Sequence, residues 1–196
     1  MRSEQTQPFQ ERDLEQALQV LQRGGVILYP TDTVWGLGCD ATNTAAVQRI
    51  HELKGRTDPK SMLVLMEDPG FLHRYVAEIP DVTWDLIECS DRPLTLVFPG
   101  ARNLAGNLLA VDGSIGIRFT REMFTKTLIR RLKKPLVSTS ANLSGEPAPC
   151  CFRDIDSRIT IAVDYVVRYR QEETLPGKPS SILKLGAGGL IEIIRK

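Results

Sequence analysis

The chain has 196 residues, 42% of them hydrophobic, with 25 Lys plus Arg set against 24 Asp plus Glu for a net charge of +1. That length and apolar content bury a sizeable core as one domain. Charge so close to zero excludes a polybasic, histone-like attraction to nucleic acid, so any basic site must be local. Cys39, Cys89, Cys150 and Cys151 show no C-x-x-C spacing and no histidine cluster to complete a zinc set, which fits a reducing, cytoplasmic setting. Met1 to Gln10 lacks a basic start followed by an apolar run, and no run of about eighteen apolar residues occurs anywhere, so neither export nor membrane insertion is expected. His51 and His73, the only two histidines, read as helix-surface residues.

From Asp13 to Arg23, Leu14, Ala17, Leu18 and Leu21 recur at the spacing of one helix face, and Gly24-Gly25 stops the helix. Val26 to Tyr29 is a short β-prone strand ended by Pro30, which places Thr31-Asp32-Thr33 at a strand end. Gly36-Leu37-Gly38 reads as part of that turn-forming stretch. Asp40 to Thr44 offers N-caps for a helix carrying Ala46, Val47, Ile50 and Leu53, ending at Gly55. That helix runs into a loop bearing Lys54, Arg56 and Lys60. Met62 to Met66 is a buried strand, followed by helices near Phe71 to Val76 and Asp81 to Ile87.

Leu94 to Phe98 and Ser114 to Phe119 are strands, with Gly116 suggesting a bulge or a close backbone approach. Thr120 is a cap for a helix carrying Met123, Leu128, Ile129 and Leu132, and Pro135 leads into the strand Leu136-Val137. Residues 144–151 form an irregular loop, the segment expected to be mobile; a short helix near Phe152 to Arg158 and a strand around Tyr165 to Tyr169 follow. Ser181 to Leu185 and Leu190 to Ile194 flank glycines as a hairpin. Alternating strands and helices with an antiparallel end imply a three-layer α/β domain on a twisted, mixed sheet. No repeat or linker divides the chain.

Three stretches carry chemistry. Lys54, Arg56 and Lys60 suit a triphosphate, because Arg offers a planar fork and Lys a mobile point charge; the plain alternative is a solvated helix end favouring cations. Gly36-x-Gly38-x-x-Ala41 superficially matches a dinucleotide fingerprint, but that motif needs a tight strand-to-helix turn, and Pro30 to Trp35 intervene. Neither a Walker-type loop nor a nucleophile elbow with a histidine is present. Ser138, Thr139, Ser140, Asn142 and Ser144 exceed what an ordinary turn requires and suit a nucleotide or small polar substrate at a strand end. Arg118 closes an otherwise apolar strand and either emerges beside that crevice, where a ligand carboxylate would suit it, or pairs with a buried acid.

Taken together, Tyr29 to Gly38, then Lys54-Gly55-Arg56, then Lys134 to Gly145 resemble the threonylcarbamoyl-AMP synthase family of YrdC and Sua5 type, in the family's order and spacing, over about Gly24 to Arg195. The likeness implies a YrdC-like single domain, core about 13–195, around a basic cavity, in the short form without the C-terminal Sua5 domain. It implies that L-threonine, bicarbonate and ATP give threonylcarbamoyl-adenylate and pyrophosphate, with Mg²⁺ accompanying ATP and no tight protein metal site. The product would feed t6A modification of adenosine 37 in tRNA through downstream transfer proteins, with tRNA or double-stranded RNA as a further partner. By motif, Lys54 and Arg56 match the catalytic cations on the phosphates, and Ser140 with Asn142 the nucleotide pair. Lys60, where relatives commonly have Asn, Ser114 and Arg195 would also lie at ATP. Arg118 would take the threonine carboxylate beside Thr33, Ser138 and Ser180. The departures are Trp35 for a usual Tyr, Leu65 for a frequent His near threonine, and Ser90-Asp91-Arg92-Pro93 for Pro-Gly-Pro. The alternatives are an RNA-binding module of the same fold and a carbamoyl-adenylate enzyme for another acceptor.

Overall fold

The computed structural model describes residues 9–55, 62–174, 177–186 and 189–196. The first apolar stripe becomes helix α1, Glu11–Gln22, with Leu14, Ala17 and Leu21 buried. Strand β1 (Ile27–Tyr29) follows, then β2 (Gly36–Gly38), helix α2 (Thr44–Lys54), β3 (Leu63–Met66), α3 (Val82–Glu88), β4 (Leu94–Phe98) and β5 (Ile115–Phe119). The chain continues through α4 (Met123–Leu132), β6 (Leu136–Ser140), α5 (Ser157–Ala162), β7 (Tyr165–Val166), β8 (Ser181–Leu185) and β9 (Ile191–Arg195). Among the described residues the strands form one nine-stranded sheet in the order β7-β1-β2-β6-β3-β5-β4-β8-β9. The pairs β1–β7, β3–β5 and β4–β8 are parallel, and the remaining pairs are antiparallel, so the sheet is mixed as expected.

Strand alternation divides the interior in two. Leu28, Val64, Met66, Val137, Leu96, Phe98, Ile115 and Ile117 face a core shared with Ala46, Val47 and Ile50 of α2. Ile27, Tyr29, Leu65 and Leu136 face the other way, against Leu14, Ala17 and Leu21 of α1 and Phe124, Leu128, Ile129 and Leu132 of α4. The result is helix, sheet, helix, the three layers that alternating elements require. On the α1–α4 side the apolar cover stops at β3. Beyond it, the same face of β5 and β4 carries Arg118 and Thr95, paired side by side, and this gap positions the site.

Several boundaries differ from the sequence reading. Gly36-Leu37-Gly38 is a buried strand instead of a turn, because a Cβ on Gly38 would sit 2.6 Å from the Tyr29 ring; glycine lets that ring lie flat across the strand. The Ser/Thr cluster is likewise strand through Ser140. Glu122, with both carboxylate oxygens on backbone N–H groups, caps α4 in place of Thr120. Pro69–Arg74 and Phe152–Asp154 are 3-10 turns, and β7 covers only Tyr165–Val166. Gly116 sits in unbroken register, with Thr95 and Leu63 within 3.4 Å of where a Cβ would stand; the irregularity lies at Ile182/Leu183. His51 is buried, its Nε2 against the Asn107 carbonyl, and is not a surface residue. No helix among the described residues is long and apolar enough to cross a membrane.

Candidate ligand site

The site begins at the C-terminus of α2. Asn43 caps its start through the Ala46 N–H, and Gly55 ends it at φ 63°, a left-handed cap that glycine adopts without strain. Lys54 therefore lies in the last helical turn, and it is 1% exposed instead of standing on a solvated loop. Its Nζ donates to the Ser140 carbonyl, to the Asn142 carbonyl at 2.8 Å and to Asn142 Oδ1 at 3.4 Å. Ser140 Oγ donates to the same Oδ1, while Asn142 Nδ2 donates to the Leu143 and Glu146 carbonyls. Lys54, Ser140 and Asn142, read as separate ligand contacts, thus form one knot joining helix end to strand end. Arg56 and Lys60 lie outside the described residues.

The second group sits across the open face. In the row of register partners Leu136, Leu65, Arg118, Thr95, Ile182 and Arg195, Arg118 is the charge held at the centre and Arg195 the one at the edge. The Arg118 side chain is 4% exposed and its Nη2 stands 3.2 Å from Asp32 Oδ1. Among the described residues Arg118 Nε has no hydrogen-bond partner, nor does Asp32 Oδ1 by hydrogen-bond geometry. Of the two readings of Arg118, pairing with an acid is met, Asp32 being that acid with its side chain 12% exposed. Asp32 escaped the sequence reading as a site residue, although its place between Thr31 and Thr33 at a strand end was a signal. In that turn Thr31 Oγ1 meets Thr33 Oγ1 at 2.9 Å and accepts from the Thr33 N–H at 3.0 Å.

Around Arg118 the polar groups converge. Thr95 Oγ1 lies 2.8 Å from Ser180 Oγ; Arg195 Nε donates to the Ser180 carbonyl at 2.8 Å and Nη2 approaches its hydroxyl at 3.4 Å. Burial and the charge of Arg118 lower the Arg195 pKa, so the two guanidinium groups feel each other and share a field that favours an anion. Tyr29 is pushed well above the usual phenol value by burial, against a hydrogen bond with Ser138 and the Arg118 charge; its OH donates to the Val137 carbonyl. Ser114 Oγ and N–H both donate to Asp112 Oδ1, and Lys184 holds Oδ2 at 2.8 Å.

Two further contacts shape the rim. Arg170 Nη1 donates to the Thr31 carbonyl at 3.0 Å. A Cβ on Gly177 would stand 1.7 Å from the Thr33 carbonyl oxygen, so residue 177 lies directly on the Thr33-Val34 backbone. The Trp35 indole lies 4.9 Å from the Phe152 ring, within the first core. Leu65 is fully buried beside Arg118. No group of three metal-ligating side chains occurs among the described residues.

A mixed sheet with helices on both faces and a buried, polar, cation-bearing crevice defines an α/β ligand-binding domain. The family model Sua5_yciO_yrdC, described as telomere recombination, matches residues 19–196. The chain belongs to the Sua5/YciO/YrdC family. It is 37% identical over 171 residues to a threonylcarbamoyl-AMP synthase of Pseudoalteromonas translucida (strain TAC 125), covering 85% of this chain and 89% of that one. A second, from Pseudomonas aeruginosa (strain UCBPP-PA14), is 38% identical over 133 residues, 67% of this chain and 71% of the relative. E. coli YciO superposes with a TM-score of 0.82 at 25% identity, covering 95% and 90%. P. abyssi Sua5 complexed with L-threonine gives 0.81 at 24% identity, and shows the shared fold; this chain covers 91% of itself and 52% of that longer chain.

Proposed function

We propose that the protein is a threonylcarbamoyl-AMP synthase, a nucleotidyltransferase joining L-threonine, bicarbonate and ATP into threonylcarbamoyl-adenylate with release of pyrophosphate, for tRNA t6A37 modification. The observation that carries this reading is the buried Arg118, paired with Asp32 and beside Thr95, whose hydroxyl meets that of Ser180, in a chain whose relatives bear that name. An α-amino acid carboxylate is the planar anion that a guanidinium with an unpaired Nε takes through two parallel bonds. The surrounding hydroxyls give the amine and side chain polar partners. Asp32 would hold Arg118 in place until the carboxylate arrives.

The chemistry asks for positioning and charge neutralisation, with no covalent nucleophile. Bicarbonate takes up a proton and gives up water to reach carbon dioxide, and the neutral amine adds to that carbon and loses a proton to form a carbamate. A carbamate oxygen then attacks the α-phosphorus as the bond to the β-phosphate oxygen breaks and pyrophosphate leaves. Lys54 would hold the Ser140–Asn142 strand end at the nucleotide, with Arg56 and Lys60 as the phosphate cations. Ser114 and Arg195 would complete the ATP side. Mg²⁺ enters as part of the Mg·ATP substrate. Transfer proteins that act on tRNA would consume the product, and the reaction belongs in the cytoplasm with tRNA itself.

The test is to incubate the purified protein with ATP, Mg²⁺, bicarbonate and L-threonine and follow pyrophosphate with the adenylate. Threonine-dependent release is expected, and its absence removes the proposal. L-Serine in the same assay measures how far Leu65 and its neighbours select the side-chain methyl.

A further inference from the structure

A cavity of about 280 Å³ opens away from the crevice, between the end of β3, the 3-10 turn Pro69–Arg74 and the C-terminal end of α4. It is lined by the buried apolar Met66, Ile129 and Pro135, by the rings of Phe71 and Tyr75, by the cations Arg74, Arg130, Lys133 and Lys134, and by one carboxylate, Glu67. It adjoins Pro135, just before β6, whereas the Lys54 knot holds the other end of that strand, about 13 Å along at the usual rise. The two places are separate.

The charges there are not all spent. Arg130 pairs with Glu67 at 2.8 Å and Lys134 with Asp40 at 2.5 Å. Arg74 and Lys133 have no carboxylate partner among the described residues, leaving two cations in excess. The carbonyl end of α4 opposes an anion with roughly half a negative charge, less than those cations supply. The Phe71 and Tyr75 side is also preformed, because Arg102 Nη2 donates to the His73 carbonyl, Asn103 Nδ2 to the Arg74 carbonyl at 2.7 Å and the Arg102 N–H to the Tyr75 carbonyl at 2.8 Å. Arg74 lies over the exposed Phe71 ring, 4.6 Å from its centroid. An exposed arginine over an exposed aromatic ring is the kind of pair on which proteins stack a base.

We propose that this cavity binds one nucleotide, its base stacked on the Arg74–Phe71 pair beside the apolar lining and its phosphate on Lys133 and Arg74. The volume lies at the small end of ligand pockets, roughly 300–1,000 Å³, enough for one base and its ribose and too little for two. The same chemistry is offered by a free mononucleotide and by a nucleotide within a single RNA strand.

The experiment titrates the full chain separately with AMP and with a short single-stranded oligoribonucleotide, following the Phe71 and Tyr75 ring signals by NMR and measuring affinity. Both rings shift in the wild type, and Lys133→Glu or Arg74→Ala weakens the binding that shifts them about tenfold, the loss of one charge-assisted contact. Phe71→Ala should do the same. Shifts with AMP identify a free nucleotide as sufficient; shifts with the oligonucleotide alone identify a strand. Ring signals unmoved by either probe, or affinities unchanged by all three variants, overturn the assignment. Threonine-dependent pyrophosphate release is expected to persist in these variants, so this test fails or succeeds apart from the proposed reaction.

Discussion

Lys54 shows how burial redefines a residue that looks like a surface cation. An ammonium 1% exposed keeps its charge only where acceptors surround it, and here they are the carbonyls of Ser140 and Asn142. Replacing Lys54 with Ala or Met takes from the Asn142 carbonyl the donor it has in a buried place and leaves the Ser140 carbonyl the Asn142 N–H alone, at a cost of about 1–3 kcal/mol. Both variants should therefore unfold at lower urea, with faster amide exchange at residues 140–144, and turn over more slowly. A variant with an unshifted midpoint but lost turnover would mean that Lys54 acts on the ligand alone. Arg56→Ala, by contrast, should lose turnover and keep its urea midpoint; retained turnover would refute its phosphate role.

At the scale of elements, two fasteners set where the Thr31 turn and its strand lie. The segment at Gly177 lies so close to the Thr33 carbonyl that no other residue fits without displacing it. Gly177→Ala should lower the thermal midpoint, because its Cβ would meet the Thr33 backbone and not a movable side chain, and should raise the threonine KM severalfold, by analogy with a pocket wall moved by one methyl group; an unchanged KM would show that Thr33 does not border the amino acid. Asp164 is the second fastener, holding the Val26 N–H at 2.7 Å and both Arg49 nitrogens, so that β7, β1 and α2 meet at one carboxylate. The Arg49 hydrogen bonds, opposed by partial burial and helped by Val26, hold its pKa below the ordinary range. A carboxyl lowered on folding contributes stability that is complete above its unfolded value near 4 and is lost as pH falls through the folded value. The pair is more than a third exposed, so solvent screening keeps its worth near 1 kcal/mol. Asp164→Asn should thus lower the urea midpoint at pH 7 and converge with the wild type as pH falls well below 4; a gap that persists in acid would locate the loss elsewhere.

Across the whole molecule, local signals were legible and remote pairings were not. Pro30 and Gly55 mark real ends because their chemistry acts on the backbone where they stand. The β2 strand was hidden because Gly38 answers to the Tyr29 ring and Gly36 to the Thr139 carbonyl, neither of them adjacent in sequence, and the strand end was hidden in the Ser138-Thr139-Ser140 run because polar residues there extend β6 through Ser140. Strand order, with β3 between β5 and β6, follows from packing between distant segments, as does the meeting of Asp32 with Arg118. That same distribution yields a consequence for the intact chain. The proposed site would draw Thr33 from after β1, Arg118 from β5, Ser138 from β6, Ser180 from just before β8 and Arg195 from β9, so a ligand there would tie together both ends of the sheet. Binding to the native state alone stabilises by about 2.7 kcal/mol at a hundredfold excess over Kd. L-Threonine, added with a non-hydrolysable ATP analogue, should raise the melting midpoint beyond the rise from the analogue alone. In Arg118→Ala the increment from the analogue should remain and the threonine increment should vanish, because the buried carboxylate partner is gone while Asn142 and Ser140 still stand in their knot. Equal threonine increments in the two proteins would take the amino-acid site away from Arg118. The same melt without ligand reports the cost of leaving Asp32 unpaired, roughly 3 kcal/mol for a buried charge stripped of its partner, which keeps loss of fold and loss of binding apart.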